Sequence, residues 1–167
     1  GVRVVVGNTI STFVEVFGGS GAVLLSKPRS VNEVYNDLND DVVQFFDTLR
    51  DHPDELAEWL DSTPYSRTLH NRFADDFYAG VRPDDPVERA GRFFFLRYSS
   101  WGGKIRERQP FSTTGNIRGY PSESRSVRYD RMVDGLDWFA DRLKSVTIEC
   151  LDYSEAIDTY DSPTTLF

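Results

Sequence analysis

The chain has only one cysteine, Cys150, and two histidines, His52 and His70, among its 167 residues. A single cysteine excludes an internal disulfide framework and any zinc site made of several cysteines. The two histidines leave little for a metal site of another kind, so no metal is expected. No run of about 18 apolar residues occurs, which excludes a membrane-spanning helix.

Composition and length suit a folded domain. Residues 1–7 have neither the basic start nor the long apolar stretch of a secretory signal, so a cytoplasmic location is expected. Apolar residues make up 39% of the chain and aromatic residues 14%, which is enough for a packed core and argues against disorder. The length fits one domain, or a small core that carries one insertion.

Lysine is scarce and aspartate is abundant. The chain has 3 Lys beside 16 Arg and 18 Asp beside 9 Glu, with a formal net charge of −8. This balance is typical of proteins from salt-loving organisms, because the Debye length in molar salt is about 3 Å and surface carboxylates then repel one another little. A halophilic archaeon or its virus is the expected source, and an ordinary acidic protein is the alternative.

The charges are unevenly distributed along the chain. Residues 30–88 carry 15 acidic side chains against 4 Arg, whereas residues 97–131 carry 8 basic side chains against 3 acidic ones. A basic segment in an acidic protein favours an anionic partner, and the aromatic residues between these charges point to nucleic acid. Chance clustering and internal salt bridges are the alternatives.

The start of the chain predicts an α/β unit. Residues 2–6 form an extended apolar run, and residues 13–17 a short buried strand. A glycine-rich break precedes a short helix at residues 22–25, and a second strand at residues 33–36 ends at Asp37. This order of strand, glycine loop, helix, strand and acid is the opening of nucleotide-binding α/β folds.

The remainder is mostly helical, with one loop-rich stretch and two late strands. Spacing and caps predict helices at residues 41–51, from Pro53, from a cap at Ser66, and at residues 87–98, 127–144 and 153–160. Residues 99–126 are rich in Gly, Pro, Ser and Thr and predict a loop with room for a short hairpin. Strands are predicted at residues 146–151 and from Thr165.

Three features could carry chemistry at the carboxyl edge of such a sheet. The glycines of the loop at residues 17–21 allow close backbone approach, and the helix that follows offers free N–H groups to an anion. Asp37 can accept both hydroxyls of a ribose, and Asp152 follows a predicted strand onto the same edge. An ordinary glycine-rich turn and two capping carboxylates are the structural alternatives. The spacing of the loop and Asp37 favours a bound cofactor.

A fourth pattern lies in the basic segment. Trp101 is followed by two glycines and then by Lys104 and Arg106. Arginine can read guanine edges and an aromatic ring can wedge into a base stack, so the pattern suits DNA. A tryptophan buried in the core is the alternative, but the adjacent glycines and lysine favour an exposed side chain.

In this order the four patterns resemble Dam-type adenine-specific DNA methyltransferases, which use S-adenosylmethionine. Their first motif, Glu-Pro-Phe-x-Gly-x-Gly, is matched by Glu15-Val16-Phe17-Gly18-Gly19-Ser20-Gly21, except that Val16 replaces the Pro. Asn36-Asp37-Leu38 and Leu151-Asp152-Tyr153 match two further cofactor elements, and Ser100-Trp101-Gly102-Gly103 resembles part of a target recognition domain. The resemblance covers nearly the whole chain.

The resemblance implies an α/β, partial Rossmann-like S-adenosylmethionine-dependent methyltransferase fold. Residues 1–50 and 145–167 would be an incomplete cofactor core, and residues 51–144 an inserted, mostly helical target recognition domain. The implied cofactor contacts are Glu15, Phe17, Gly18, Gly19, Gly21, Asp37, Leu38, Asp152 and Tyr153. The implied contacts to double-stranded DNA are Trp101, Lys104, Arg106 and Arg108.

Within the cofactor set, the resemblance implies particular roles. The loop from Phe17 would pack against the methionine part of the cofactor, and Asp37 would hold its ribose. Leu38 would lie against the adenine. Asp152 would accept a hydrogen bond from the amino group of the adenine.

The catalytic Asp-Pro-Pro-Tyr motif of these enzymes does not occur in the 167 residues. Its Asp and Tyr hold the flipped adenine, so the chain alone is expected to contain no catalytic residue and to be inactive. The expected role of the parent enzyme is restriction–modification or modification of a viral genome. The chain is then expected to be a fragment of that enzyme, one half of a split enzyme completed by a second chain, or a non-catalytic DNA-binding remnant. An NAD-type Rossmann enzyme is disfavoured, because Val23 and Leu24 stand where the third glycine of its motif is needed.

Overall fold

The computed structural model describes residues 10–103, 106–113 and 123–167. The extended run predicted at residues 2–6 therefore lies outside the described residues. The chain divides into two compact units, one formed by Gly1–Val43 with Arg142–Phe167 and the other by Gln44–Asp141. The sequence prediction put the boundaries at 50/51 and 144/145.

Eight α-helices lie in the described part of the chain. They are α1 (Ala22–Ser26), α2 (Asp40–Asp51), α3 (Pro53–Asp61), α4 (Arg67–Tyr78), α5 (Pro86–Ser99), α6 (Arg125–Asp134), α7 (Leu136–Leu143) and α8 (Tyr153–Tyr160). The division between the units lies inside α2 and inside α7. No helix among these residues has the length and apolar character needed to cross a membrane.

The first unit contains a four-stranded sheet. Its strands are β1 (Thr12–Glu15), β2 (Asn32–Asn36), β3 (Val146–Glu149) and β4 (Thr165–Leu166), arranged in the order β3-β2-β1-β4. All neighbours are parallel, with Val14 beside Val34 and Phe13 beside Leu166. Because the strands share one direction, their carboxyl ends share one edge. The predicted α/β class and partial Rossmann-like sheet are confirmed.

Burial explains why short apolar runs became strands. Val14 and Val34 are buried and form an apolar cluster with Val16 and with Ala156 of α8. β-Branched side chains pack well on a pleated surface that is covered by other elements. The strands predicted at residues 13–17 and 33–36 accordingly agree with β1 and β2 to within two residues.

The second unit has an aromatic core between helices whose starts are capped. Ser66 accepts a hydrogen bond from the Leu69 N–H at 3.5 Å at the start of α4, so the predicted cap is confirmed. Tyr129 of α6 packs against Phe95 of α5, with ring centroids 5.7 Å apart. A Cβ at Gly91 would lie 2.2 Å from a ring carbon of Trp59, so α5 approaches α3 where only glycine fits.

Two sequence predictions were wrong in extent. The helix predicted at residues 127–144 is two helices, α6 and α7, separated at Gly135. Glycine costs about 1 kcal/mol in a helix interior relative to alanine. The helix therefore ends there, although the spacing of apolar residues continues beyond it. The strand predicted at residues 146–151 ends at Glu149, because the side chain of Asn36 takes the backbone N–H and carbonyl of Leu151.

A buried ion network fixes the amino end of β2 in the first unit. Glu33 is 3% exposed and accepts two hydrogen bonds from Arg142 of α7, at 2.5 and 2.9 Å. Lys27 donates to the same carboxylate at 2.5 Å, and the Ser30 N–H donates at 3.0 Å. Burial by itself would raise the pKa of Glu33, but these donors outweigh it and lower the pKa from 4.5 to about 2.

Candidate functional site

The candidate cofactor site lies in the first unit, where the chain leaves β1, β2 and β3. The turn after β1 is fixed by two short backbone bonds, from Gly18 N–H to the Asn36 carbonyl and from Gly21 N–H to the Gly18 carbonyl, each 2.7 Å. A Cβ at Gly18 would lie 2.2 Å from the ring of Tyr35. Gly21 caps α1 with φ of 64°, in the left-handed region that glycine adopts readily. Both glycines are therefore required by the turn itself.

The peptide groups of Gly19 are held from both sides by β2 and the residue that follows it. Tyr35 donates its hydroxyl to the Gly19 carbonyl at 2.7 Å, and the Gly19 N–H donates to Asp37 Oδ2 at 2.7 Å. Burial raises the pKa of Tyr35, and the carboxylates of Asp37 and Glu15 raise it further, so the hydroxyl remains a donor. These two bonds tie the glycine loop to β2 and to the residue that follows it.

Asp37 serves as a turn residue and keeps capacity for a ligand. Its Oδ1 accepts a bond from the Asn39 N–H at 2.8 Å, while Oδ2 holds Gly19. A carboxylate oxygen can accept two hydrogen bonds, so each oxygen has room for one hydroxyl. The turn alternative and the ribose role predicted for Asp37 are therefore compatible.

Glu15, which the resemblance implies to be a cofactor contact, bonds within the protein. Its Oε2 accepts a hydrogen bond from the Leu24 N–H at 2.8 Å, in the first turn of α1. A carboxylate at this place satisfies a helix N–H that has no partner in its own helix. Glu15 thereby fixes the start of α1 behind the glycine loop.

Asn36 was not predicted as a site residue, although it joins the three strand ends. Its buried amide donates to the carbonyls of Val16 and Leu151, at 3.0 and 3.1 Å, and accepts from the Leu151 N–H at 2.9 Å. The signal in the sequence was a polar residue at the end of a buried strand, directly before Asp37. Such a residue must be satisfied by its surroundings, which in this fold are the two neighbouring loops.

Asp152 is the amino-terminal cap of α8, which was the structural alternative to its cofactor role. Its Oδ1 accepts from the Ser154 hydroxyl at 2.6 Å and from the Ser154 N–H at 3.0 Å. These bonds lower the pKa of the Asp152 carboxyl, which is exposed. The cap therefore holds a charged carboxylate in a fixed position on the carboxyl side of β3.

Large apolar side chains are exposed around these carboxylates. Phe17 is 78% exposed, Leu38 69% and Tyr153 54%. The rings of Phe17 and Tyr153 have centroids 5.9 Å apart, which brings the loops after β1 and β3 together. Exposed apolar side chains in a cluster are a common mark of a ligand-binding surface.

The acceptor oxygens and apolar side chains at this edge are chemically suited to S-adenosylmethionine. Two carboxylates can accept the hydroxyl and amino hydrogens of an adenosine and favour a positively charged ligand, while the apolar side chains suit a flat base. Within the part of the chain that the structure describes, no cluster of three or more His, Cys, Asp or Glu side chains could hold a metal ion.

The residues predicted to contact DNA lie in the second unit. Trp101 is 63% exposed, as predicted, and begins a 3-10 turn at Trp101–Gly103. Arg106 and Arg108 are exposed as well, whereas Lys104 lies outside the described residues. An antiparallel bridge between Ser100 and Phe111 closes the segment that carries them. The sequence predicted a loop with room for a short hairpin here.

Part of the basic excess is balanced inside the second unit. Arg108 pairs with Asp75 of α4, and Glu123 pairs with Arg131 and, at 3.7 Å, with Arg128. Internal salt bridges were the alternative reading of the basic segment, and these pairs account for several of its charges. Exposed pairs contribute about 1 kcal/mol or less each, so a phosphate can displace the carboxylate.

The comparison with known protein families agrees with this geometry. The family model of the D12 class N6 adenine-specific DNA methyltransferases matches residues 3–167. The match includes the glycine loop, the three strand ends and the basic segment. No curated protein matches the sequence.

Proposed function

Because the chain belongs to the D12 class N6 adenine-specific DNA methyltransferase family, we propose that it takes part in site-specific, S-adenosylmethionine-dependent methylation of adenine N6 in double-stranded DNA. The first unit would hold the cofactor and the second would recognise the target DNA. The observation that carries the proposal is the Gly19 peptide group locked between Tyr35 and Asp37, beside exposed Phe17 and Tyr153.

In this proposal the carboxyl edge binds and orients the cofactor. S-Adenosylmethionine, when bound, supplies the activated methyl group. Asp37 accepts ribose hydroxyls with the oxygen capacity that its turn leaves unused, and Asp152 accepts the adenine amino group. Phe17, Leu38 and Tyr153 cover the apolar faces of the ligand, which removes their own exposed surface from water.

The DNA contacts in this proposal come from the second unit. Trp101, which is exposed, would insert an aromatic ring at the duplex, and the exposed Arg106 and Arg108 would meet phosphates or base edges. Arg108 would exchange its exposed partner Asp75 for a phosphate. Lys104 would join them by its position in the sequence.

The proposal leaves the hold on the flipped adenine to a motif outside these 167 residues. Since the 167 residues contain no Asp-Pro-Pro-Tyr sequence, we expect the chain alone to transfer no methyl group. A second polypeptide that carries the motif would restore transfer if the enzyme is assembled from two chains. A chain that binds DNA but no cofactor would instead be a non-catalytic remnant.

The acidic composition bears on the conditions in which the protein works. With 3 Lys beside 18 Asp, a halophilic source is part of the proposal, and the role would be restriction–modification or modification of a viral genome. Molar salt weakens phosphate contacts steeply, so aromatic insertion and base-edge contacts would carry more of the DNA affinity.

Calorimetric titration with S-adenosylmethionine tests the proposal. We expect saturable binding by the wild-type chain and at least about tenfold weaker binding by Asp37→Ala, which removes the ribose acceptor and the clamp on Gly19. Asp158→Ala is the matched control, because Asp158 is an exposed carboxylate of α8 in the same unit. Absence of binding by the wild type, or equal affinity in the Asp37 variant, contradicts the cofactor site.

A further inference from the structure

The backbone of residues 106–112, termed the 106–112 segment, is held by its carbonyl groups. Four of them accept hydrogen bonds from elsewhere in the second unit. The bonds run from the Tyr78 hydroxyl to Glu107 O (2.8 Å), from His70 Nε2 to Gln109 O (3.1 Å), from Trp101 N to Pro110 O (3.0 Å) and from the Tyr65 hydroxyl to Ser112 O (2.6 Å). Three of the four donors are side chains of α4 or of the turn before it.

His70 is suited to this task because its ring has one defined tautomer. The Gln109 carbonyl can only accept, so Nε2 carries the proton, and Nδ1 accepts from the hydroxyl of Ser99 at 2.8 Å. His70 and Ser99 are both buried. Burial lowers the pKa of His70, which favours the neutral ring that this pair of bonds requires.

An aromatic anchor completes the attachment. The Phe111 ring lies 4.9 Å from Tyr65 and 5.5 Å from His70, measured between centroids. The Ser112 N–H donates to the Ser99 carbonyl at 2.8 Å. The backbone is thus fixed on its inner side, while the side chains of Arg106 and Arg108 are exposed. A backbone fixed in advance loses less conformational freedom when its side chains bind a partner.

We propose that Tyr65, His70 and Tyr78 are positioning residues, which hold the 106–112 segment in the shape in which its arginines meet DNA. The inference rests on the proposed function, because it takes DNA as the partner of Arg106 and Arg108. None of the three residues needs to touch DNA for this role. Their bonds to main-chain carbonyls fix the position of the backbone from which the arginine side chains extend.

The test compares hydroxyl removals in the full chain. Tyr65→Phe/Tyr78→Phe removes the two hydroxyls that hold the segment. Tyr129→Phe is the matched control, since its hydroxyl donates to the Leu60 carbonyl of α3 at 3.2 Å, in the same unit but outside the segment. Amide hydrogen exchange at Trp101 and Ser112 reports on the segment, and titrations with a DNA duplex and with S-adenosylmethionine report on binding.

We expect the protection factors of these two amides to fall about tenfold in the double variant. We also expect that variant to bind the duplex about five- to tenfold more weakly. Its cofactor affinity should equal that of the wild type, and Tyr129→Phe should keep protection and DNA affinity even if it melts earlier. His70→Gln retains a side-chain donor and is expected to bind DNA more tightly than His70→Leu.

The outcomes separate this inference from the proposed function. Wild-type DNA affinity in a double variant whose amides exchange faster overturns the positioning role alone. Unchanged exchange in that variant also overturns it, because the hydroxyls would then not hold the backbone. A wild-type chain that binds no duplex overturns the DNA part of the proposed function and this inference with it, whatever the exchange data.

Discussion

Replacing Glu33 by glutamine should strongly destabilise the first unit. Glu33 is buried and accepts bonds from Arg142, Lys27 and the Ser30 N–H. Glutamine has almost the same shape but removes the negative charge. It leaves the buried guanidinium of Arg142 without its counter-charge, which is the costly way to break a buried pair.

The magnitude follows from the pKa of the carboxyl. Folding lowers the pKa of Glu33 from 4.5 to about 2. At about 1.4 kcal/mol for each pKa unit, the charged form contributes about 3 kcal/mol to the free energy of unfolding at neutral pH. Because the folded-state pKa is the lower one, this contribution is complete above pH 4.5 and is lost as the pH falls towards 2.

Urea unfolding at constant salt measures the effect. We expect Glu33→Gln to lose about 3 kcal/mol at pH 7, with the difference from the wild type shrinking below pH 4.5. Glu155→Gln is the matched control, because Glu155 is an exposed carboxylate of α8 in the same unit. A Glu33→Gln chain within about 0.5 kcal/mol of the wild type at pH 7, or a difference that does not change with pH, would refute the reasoning.

Three further predictions concern the two candidate sites. Gly18→Ala places a Cβ 2.2 Å from the Tyr35 ring and should weaken S-adenosylmethionine binding, measured by calorimetry, at least about tenfold. Wild-type affinity in this variant would show that the loop can move aside. Tyr35→Phe removes the bond to the Gly19 carbonyl and should weaken the same binding about fivefold. No change would mean that the remaining bonds hold the loop without the Tyr35 hydroxyl. In molar salt, Trp101→Ala should weaken duplex binding more than Arg106→Ala in a fluorescence anisotropy titration. The reason is that salt screens the proposed arginine contact but not the aromatic one, and equal losses would contradict this.

The sequence was sufficient for the local elements of the first unit. Short apolar runs around Val14 and Val34, with glycines between them, specify two buried strands and a tight turn without reference to distant residues. The cap at Ser66 is also local, because the helix N–H groups that it serves are three residues away. Such features depend on spacing, which a sequence displays directly.

Features that depend on distant pairing were missed. The partner of Glu33 is Arg142, 109 positions away, and neither residue stands out in a chain that is rich in charges. The break at Gly135 was missed because apolar spacing continues across it, so the pattern of core positions conceals the change of direction. The bond from Tyr35 to Gly19 joins a strand to a loop, and only the fold brings the two together.

The residue types of the candidate site could be predicted from the sequence. Their hydrogen-bond partners could be predicted less well. Asp37 and Asp152 were predicted as ligand groups or as turn residues, and both make turn bonds in the structure. The same carboxylate can do both, since each oxygen accepts more than one hydrogen bond. A sequence pattern cannot separate two roles that one side chain performs together.

The most direct test of the central claim is to map where S-adenosylmethionine binds. Ultraviolet crosslinking with methyl-tritiated S-adenosylmethionine, followed by trypsin, separates the carboxyl edge into peptides 4–29, 30–50 and 145–167, which contain Phe17, Leu38 and Tyr153 respectively. The account predicts label in these peptides, suppressed by excess unlabelled cofactor and reduced in Asp37→Ala. Label confined to peptides of residues 51–144, or no label that unlabelled cofactor can suppress, would contradict it.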